Sequence, residues 1–186
     1  MTPLKVSDNT KPIDIYNQYG TLVYNLTLSY LNNIEDAEEV TQDVFVAVFQ
    51  SINQFNEKSL FKTWVYRIAV NKCLDFLRAK TRKKRWANIV GIFGDNGTLT
   101  HNPPDFAHPG VLLENQENAA YLFKAINELP ESQKTAFLLS HTENLSNKDI
   151  AAVMDKTVSA VESLIQRAKQ NLQKTLANFY TEYRQK

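Results

Sequence analysis

The sequence has few of the features that mark secreted, membrane-bound or fibrous proteins. It contains one cysteine, Cys73, which excludes an intramolecular disulfide framework and a cysteine-rich zinc site. No run approaches the roughly 18 apolar residues that a membrane-spanning helix needs, and the first residues contain no apolar core of a secretion signal. With only five Gly and six Pro, the composition also excludes collagen-like and low-complexity structure. These absences predict a globular protein of the cytoplasm.

The residue patterns of common active sites are absent as well. His101, His108 and His141 lack the spacing of metal ligands. The sequence has no phosphate-binding glycine loop, nucleophile elbow or zinc-protease helix. Cys73 falls on the apolar face of its predicted helix, where a cysteine acts as a small hydrophobic residue rather than a nucleophile. We therefore expect no enzyme activity, no catalytic residue, no bound metal and no cofactor.

Positive charge is concentrated in one segment of the chain. The net charge is only +1, but residues 62–85 hold nine Lys or Arg and one acidic residue, a net charge of +8. Residues 1–61 hold three basic and eight acidic residues, a net charge of −5. A basic block of this density is typical of a surface that binds a polyanion. It is also found on solvated helix faces, so the charge alone leaves two interpretations open.

Apolar residues recur at steps of three and four along most of the chain, which predicts an all-α fold. We expect two small helical domains, at residues 13–88 and 114–183, joined by a flexible linker at 89–113. The linker segment is rich in Gly, Pro and Asn and has no Lys or Arg, as is typical of a domain boundary. The N-terminal helices are predicted at Ile13 to Tyr30, Ile34 to Phe49 and Leu60 to Arg85, with a polar loop at Ser51 to Ser59.

The C-terminal domain carries a helix-turn-helix pattern. Ser146 and Asp149 are spaced as a capping box at the start of a short helix. Asp155-Lys156-Thr157 supplies a turn, and a second helix is predicted from Val158 to Tyr183. Such a helix can present its outward side chains to the major groove of DNA, although helical hairpins without a DNA role are common. The residues predicted to face inward are Ile150, Ala151, Val161 and Ile165, and Pro130 is predicted at the first position of an earlier helix.

The long helix at 60–85 has two contrasting faces. Val65, Ala69 and Cys73 lie on its apolar face. The opposite side, here called the polar stripe, consists of Arg67, Asn71, Asp75, Arg78 and Arg82, with Trp64 at its N-terminal end. Aromatic rings among cations suit single-stranded nucleic acid, because bases stack on rings while cations follow the backbone. Trp64 can equally be a satellite core residue beneath the 51–59 loop, and the sequence leaves this alternative open.

Taken in order, these motifs resemble those of the extracytoplasmic-function sigma factors, the two-domain group of the bacterial sigma factor superfamily. The resemblance covers roughly residues 13–88 and 114–180. Residues 36–45 resemble the helix that docks on the clamp helices of the polymerase β′ subunit. Residues 61–78 resemble the minus-ten segment of the family, and Leu129-Pro130-Glu131 with the following helix-turn-helix resembles its minus-thirty-five domain.

The resemblance implies a sigma factor that binds core RNA polymerase, reads minus-thirty-five duplex DNA and opens the minus-ten element. The implied partners are the β′ clamp helices and the β subunit of core polymerase, promoter DNA and an anti-sigma factor, which in the family is often membrane-bound. The free protein is expected to be a monomer. The residues matching the family's positions are Asp36, Glu39, Gln42, Asp43 and Phe45 for core polymerase; Lys62, Trp64, Arg67, Asn71, Arg78, Lys80 and Arg82 for minus-ten DNA; and Lys156, Thr157, Ser159, Glu162, Ser163, Arg167 and Lys169 for minus-thirty-five DNA.

The sequence departs from the family in its helix-turn-helix. Asp155-Lys156 stands where the turn often has Gly, and Glu162 and Leu164 stand where the second helix commonly has Lys and Arg. Glu162 can cap its helix together with Ser159 or accept a hydrogen bond from a cytosine amino group. The promoter sequence therefore cannot be transferred from the family.

Two other functions are compatible with parts of the pattern. The first is a helix-turn-helix regulator whose N-terminal domain binds a partner or ligand, but this leaves Trp64 and the +8 block unexplained. The second is a helical adaptor that docks through its acidic helix at 35–43. Regulators of the first kind usually dimerise on palindromic sites, so gel filtration distinguishes them from a monomeric sigma factor.

Overall fold

A computed structural model describes residues 11–55, 59–92 and 116–183. These residues form seven α-helices and one short 3₁₀ helix, with no strand among them, which confirms the predicted all-α fold. The helices are α1 (Pro12–Leu31), α2 (Ile34–Ser51), α3 (Phe61–Ile92), α4 (Gln116–Asn127), α5 (Glu131–His141), α6 (Asn147–Met154) and α7 (Val158–Tyr183), and the 3₁₀ helix spans Ile52–Gln54. Helices α1 to α3 form the N-terminal domain and α4 to α7 the C-terminal domain.

Two asparagines separate α1 from α2. Asn32 ends α1 in the left-handed conformation with φ 52°, and its N–H donates to the Leu28 carbonyl at 2.8 Å. Asn33 begins α2, where its side-chain oxygen accepts a hydrogen bond from the N–H of Asp36 at 2.7 Å. Asn suits both positions, because it tolerates positive φ and caps helix N-termini well. The predicted break at this point is therefore confirmed.

The core of the N-terminal domain lies between α1, α2 and α3. The predicted apolar face of α3 is confirmed, since Val65, Ala69 and Cys73 have no exposed surface. Periodicity at three and four residues gives each helix one apolar stripe, and three such stripes enclose a common core. The α1 and α2 residues that complete it include Ile15, Tyr19, Val23, Leu26, Val40, Val44 and Val48.

The C-terminal domain surrounds a second set of buried residues. The four side chains predicted to face inward, Ile150, Ala151, Val161 and Ile165, are all buried. Helix α7 has the bounds predicted for it, Val158–Tyr183. Pro130 precedes α5 as its N-cap, one residue before the predicted first position. The fixed φ of proline suits either place, so the helix still begins where the sequence indicates.

The described structure differs from the prediction at the end of α3. The helix runs to Ile92, so residues 89–92 of the predicted linker are helical. Gly91 did indicate a loop here, but a single Gly costs a helix only about 1 kcal/mol relative to Ala and need not end it. The predicted polar loop at 51–59 contains the 3₁₀ helix Ile52–Gln54. Residues 93–113, the rest of the predicted linker, lie outside the described residues.

The two domains contact each other directly. Helix α3 packs against α6, and α1 packs against α5, so the buried apolar residues of both domains form one continuous cluster. In the described part of the chain, every helix is too short or too polar to cross a lipid bilayer. Two arginines of the polar stripe also take part in the contact between the domains.

Candidate nucleic-acid interface

The polar stripe is largely accessible along α3. Its side chains Arg67, Asn71, Arg78 and Arg82 are exposed, and so are Lys62 and Lys80 elsewhere on the same helix. They are held on the surface because the other side of the same helix supplies the buried Val65, Ala69 and Cys73. The cations therefore lie at fixed positions on a rigid helix, an arrangement that can follow the phosphates of a nucleic-acid backbone.

Trp64 belongs to an aromatic cluster rather than standing free on the stripe. Its ring centroid lies 5.4 Å from that of Phe55 and 5.4 Å from that of Phe61. Tyr19 extends the cluster at 5.5 Å from Phe61. Trp64 is half-buried, and it packs against the core of the N-terminal domain. This geometry agrees with the satellite-core alternative and still leaves part of the indole accessible.

The C-terminal domain binds two arginines of the polar stripe. The guanidinium of Arg67 donates to the backbone carbonyl of Ala152 in α6. The guanidinium of Arg78 donates to the Glu131 carboxylate in α5 at 2.9 Å, and it pairs more weakly with Asp75 at 3.4 Å. These donors are directed at protein acceptors, so in this arrangement the C-terminal domain occupies part of the hydrogen-bonding capacity of Arg67 and Arg78.

A third contact between the domains joins Tyr66 to Glu143. The Tyr66 hydroxyl donates to the Glu143 carboxylate at 2.7 Å. Burial raises the pKa of Glu143, and the hydrogen bond from Tyr66 and the nearby Lys62 cation oppose that change. The pKa of Tyr66 is raised by its own burial and by this hydrogen bond, so Tyr66 remains the donor at neutral pH. The pair is a partly buried, charge-assisted contact between α3 and the segment after α5.

Lys134 makes a fourth contact, and its amine is almost fully buried, with 7% of the residue exposed. It donates to the Tyr30 carbonyl in α1 at 2.8 Å and to Asn127 Oδ1 at 2.6 Å. Helix α1 has no basic residue in its last turn, so this cation from the other domain satisfies a C-terminal carbonyl there. Burial lowers the pKa of Lys134 to about 8, partly offset by Cys73. Burial also raises the pKa of the Cys73 thiol to about 12, which keeps it neutral.

The acidic side of α2 has the residues predicted to meet core polymerase. Glu39, Gln42 and Asp43 are exposed. Asp36 is partly buried and forms an ion pair with Lys80 of α3 at 2.5 Å. Phe45 is only 3% exposed and lies in the core, where its ring packs on Tyr16 at 5.0 Å. A side chain this deeply buried supports the helix from within, and the contact of Phe45 with core polymerase stays a prediction.

The helix-turn-helix is held together by its caps. Ser146 caps α6, with its hydroxyl 3.2 Å from the N–H of Asp149 and 2.6 Å from the Asp149 carboxylate. Asp155 then turns the chain with φ 52° and ψ 52°, the left-handed conformation that usually favours Gly. Asp tolerates this region better than most residues, so Asp155 takes the place of the glycine common in the family.

Helix α7 presents the predicted recognition residues to solvent. Lys156, Thr157, Ser159, Glu162, Ser163, Arg167 and Lys169 are all exposed. Thr157 caps the helix through its hydroxyl, which accepts from the N–H of Ala160 at 3.2 Å. Glu162 instead accepts a weak hydrogen bond from Asn147 at 3.4 Å, so the first of its two alternatives, a cap formed with Ser159, is not observed. Leu164 is partly buried, which explains why an apolar residue occupies that position.

Four functional candidates escaped the sequence prediction. Glu131, Lys134 and Glu143 act across the domain boundary, and no local pattern marks a residue whose partner lies far away in the chain. Trp86 could have been found from the sequence, since it follows the basic block directly. Within the described residues, no group of His, Cys, Asp and Glu is arranged to bind a metal ion.

Comparison with known proteins identifies both domains. The Sigma-70 region 2 family matches residues 15–83, and the Sigma-70 region 4 family matches residues 119–172. An ECF RNA polymerase sigma-E factor of Haemophilus influenzae is 33% identical over 86% of this chain and 84% of its own. An RNA polymerase sigma-H factor of Pseudomonas aeruginosa is 30% identical over 86% of this chain and 82% of its own.

Two solved structures share the fold. The sigma factor RpoE from Bartonella quintana, in complex with the anti-sigma factor NepR, matches with a TM-score of 0.66 and 20% identity. The match covers 89% of this chain and 96% of that one. CnrH, in complex with the cytosolic domain of CnrY, matches with a TM-score of 0.64 and 21% identity over 90% and 88% of the chains.

The fold and the two family matches define a two-domain bacterial sigma factor. The chain belongs to the extracytoplasmic-function group of that superfamily. It therefore directs promoter-specific transcription, and the alternative of a ligand-binding helix-turn-helix regulator is not favoured. Sigma factors are not enzymes, so the site has to be understood as a binding surface.

Proposed function

We propose that the chain brings core RNA polymerase to a promoter through three surfaces on its two domains. The exposed residues Glu39, Gln42 and Asp43 of α2 dock on polymerase. The first turns of α7 read minus-thirty-five duplex DNA, and the polar stripe of α3 holds the minus-ten element. The proposal depends on one observation above all. The same chain has an exposed recognition helix, α7, and a second helix with exposed cations, α3.

The proposal requires no chemistry from this chain. Opening a promoter requires that unstacked bases be held, at a cost of a few kcal/mol per base that protein contacts must offset. Core polymerase carries out the synthesis. Since polymerase and promoter DNA meet in the cytoplasm of a bacterium, we infer that the chain acts there. We further infer regulation by an anti-sigma factor, because the RpoE structure of similar fold holds one.

The domain contacts suggest a step before promoter binding. Arg67 and Arg78, which we assign to minus-ten DNA, are bound by Ala152 and Glu131 of the other domain. Minus-ten DNA and the C-terminal domain therefore compete for the same guanidinium groups. We infer that the domains separate when the chain joins polymerase, which frees the polar stripe for DNA.

Reconstituted transcription tests this function. Core polymerase, genomic DNA fragments and the purified chain should give transcripts with discrete start sites that are absent without the chain. Transcription that does not depend on the chain would contradict the proposal. Gel filtration of the free chain should show a monomer, whereas a stable dimer would favour the regulator alternative.

Substitution of Gln42 and Asp43 by alanine should weaken binding to core polymerase. Both side chains are exposed, so the melting temperature should change little. Titration of fluorescently labelled chain with core polymerase measures the affinity. The matched control is Glu128→Ala with Gln170→Ala, which removes one carboxylate and one amide from the exposed surface of the other domain. If the two double variants bind polymerase equally well, the α2 face is not the docking surface.

Substitution of Arg167 by alanine should weaken duplex binding on every sequence and lower the salt dependence of binding. Arg167 lies beyond the first two turns of α7, where a recognition helix tends to pass from bases to backbone. Loss of one phosphate contact should reduce the slope of log K against log salt by about one unit. Changes at Ser163 or Glu162 should instead alter base preference, by about 1–3 kcal/mol per good contact.

The measurement is a salt titration of binding to the preferred and to a scrambled upstream element. Lys124→Ala serves as the control, because it removes an exposed cation of α4 outside the recognition helix. If Arg167→Ala leaves the salt slope unchanged and alters the preference at one base pair, Arg167 contacts a base rather than a phosphate, which would contradict the prediction.

A further inference from the structure

The C-terminal end of α3 presents an exposed tryptophan next to unpaired cations. Trp86 is 69% exposed, the highest value among the large exposed apolar side chains of the described residues. Arg82, Lys83 and Arg85 beside it are exposed as well. Among the described residues, none of these cations has an ion-pair partner and Trp86 has no ring partner. An exposed indole beside several cations is the combination that suits a ligand with both aromatic and anionic groups.

Trp86 lies on the continuation of the polar stripe. It follows Arg82 by four residues, the spacing that places two side chains on one side of a helix. Helix geometry puts it about 33 Å from Trp64 along the axis, which is well outside the aromatic cluster of Phe55 and Phe61. The stripe therefore has an aromatic residue near each end, and the one at the C-terminal end is the more exposed.

The cations along the C-terminal half of α3 differ in availability. Arg78 is held by Glu131, and Lys80 is held by Asp36. In the described part of the chain Arg82 and Arg85 have no ion-pair partner, and they line a cleft of about 570 Å³ between α3 and α5 together with Asp75, Arg78 and Glu131. A backbone phosphate placed in this cleft would meet two guanidinium groups within one helical turn of Trp86. This part of the stripe stays accessible even while the two domains are in contact.

We propose that Trp86, Arg82 and Arg85 form a separate site for single-stranded DNA, in which the indole stacks on an unpaired base and the guanidiniums hold the adjacent phosphates. The charge of the surroundings favours this occupant, because an apolar protein partner gains nothing from the three cations beside the ring. Single-strand sites combine stacking rings with a cationic track in this way. The site deepens the proposed function, since it would hold part of the opened promoter strand.

Tryptophan fluorescence tests the site directly. The chain has two tryptophans, so the Trp64→Phe variant reports on Trp86 alone. Titration of this full-length variant with a 20-nucleotide thymidylate strand should quench its emission in a saturable way. In the otherwise wild-type chain, Trp86→Ala should weaken binding of the strand by about fivefold to a hundredfold. Arg85→Ala should lower the salt slope by about 0.7 unit, and Lys124→Ala should leave it unchanged.

The controls decide between this site and its alternatives. The Trp86→Phe variant, which reports on Trp64 alone, should show little quenching by the strand. Equal or greater quenching there would assign the stacking residue to Trp64 and overturn the proposal. Quenching of Trp86 by core polymerase without DNA would make it a protein contact and would overturn the proposal too. Since Trp86 is exposed, its substitution should leave the melting temperature unchanged, and a large fall would indicate a structural residue.

Failure of this site can be separated from failure of the proposed function. Binding of the thymidylate strand needs no polymerase, and transcription from genomic fragments depends on the whole chain. Normal transcription with no quenching of Trp86 would overturn the site and leave the sigma function intact. Saturable quenching without promoter-dependent transcription would support the site and contradict the function.

Discussion

Replacing Trp64 by alanine will lower the melting temperature of the N-terminal domain by roughly 10 °C or more. The indole packs on Phe55 and Phe61 at ring distances of 5.4 Å and covers part of the core. Truncation of a large aromatic side chain in a core lowers the free energy of unfolding by about 3–5 kcal/mol, and truncation of a half-buried one lowers it by about 2–3 kcal/mol. In a domain of this size, each kcal/mol of unfolding free energy that is lost lowers the melting temperature by about 4–8 °C. Thermal unfolding followed by circular dichroism measures the effect.

The conservative variant Trp64→Phe separates stability from DNA contact. Phenylalanine keeps a ring in the cluster, so Trp64→Phe should lower the melting temperature much less than Trp64→Ala does. If Trp64 also holds an unstacked promoter base, Trp64→Phe should still impair opening, as measured by permanganate reactivity, because the smaller ring stacks less well. If polymerase with a stable Trp64→Phe chain opens the promoter fully, the role of Trp64 is structural only. An unchanged melting temperature in Trp64→Ala would contradict the packing role.

The helices and their ends were predictable because local chemistry determines them. Asn32 ends α1 with a positive φ, and Asn33 caps the start of α2. Ser146 and Asp149 mark the start of α6 in the same way. The buried face of α3 followed from periodicity, since the apolar residues of this helix recur on one side. These features depend on neighbours within about four residues in the sequence.

The domain contacts were not predictable, because their partners are far apart in the chain. Lys134 is separated from Tyr30 by 104 residues, and Arg67 from Ala152 by 85. Nothing in the spacing of α5 distinguishes Lys134, which is buried, from an ordinary exposed lysine. The burial of Phe45 was not predictable for a related reason. A motif match places a residue on a helix, but only the packing of α2 on α1 shows which side of that helix is covered.

Replacing Glu131 and Glu143 together by alanine will separate the two domains and raise the affinity of the free chain for DNA. The exposed pair of Glu131 with Arg78 contributes about 0–1 kcal/mol. The partly buried hydrogen bond of Tyr66 to Glu143 contributes about 1.5–3 kcal/mol. A combined loss of about 2 kcal/mol corresponds to a change of roughly 30-fold in the equilibrium between the closed and open arrangements. Small-angle scattering should show a larger radius of gyration, and the affinity for promoter DNA should rise by up to this factor.

Loss of two negative charges would strengthen DNA binding even without separation of the domains, so the control must match the charge. Glu38→Ala with Glu128→Ala removes two exposed carboxylates that make no contact between the domains among the described residues. This control should raise the affinity only slightly and leave the radius of gyration unchanged. Equal gains in the two double variants would mean that the contacts of Glu131 and Glu143 do not restrain DNA binding.

The single variant Glu143→Gln should behave in the opposite way and keep the domains together. Glutamine retains an oxygen that accepts from Tyr66 and removes the charge whose burial is unfavourable. Burial raises the pKa of Glu143 above its value in the unfolded chain, with Tyr66 and Lys62 of α3 as the groups that face it. The contribution of Glu143 to stability is therefore greatest below the unfolded pKa of about 4.3 and falls as the pH rises through the higher folded value. Glu143→Gln should abolish that fall, so its melting temperature should exceed that of the wild type at pH 7 and match it near pH 4. A lower melting temperature at pH 7 would show that the ionised carboxylate stabilises the contact and that the effect of burial is outweighed by Tyr66 and Lys62.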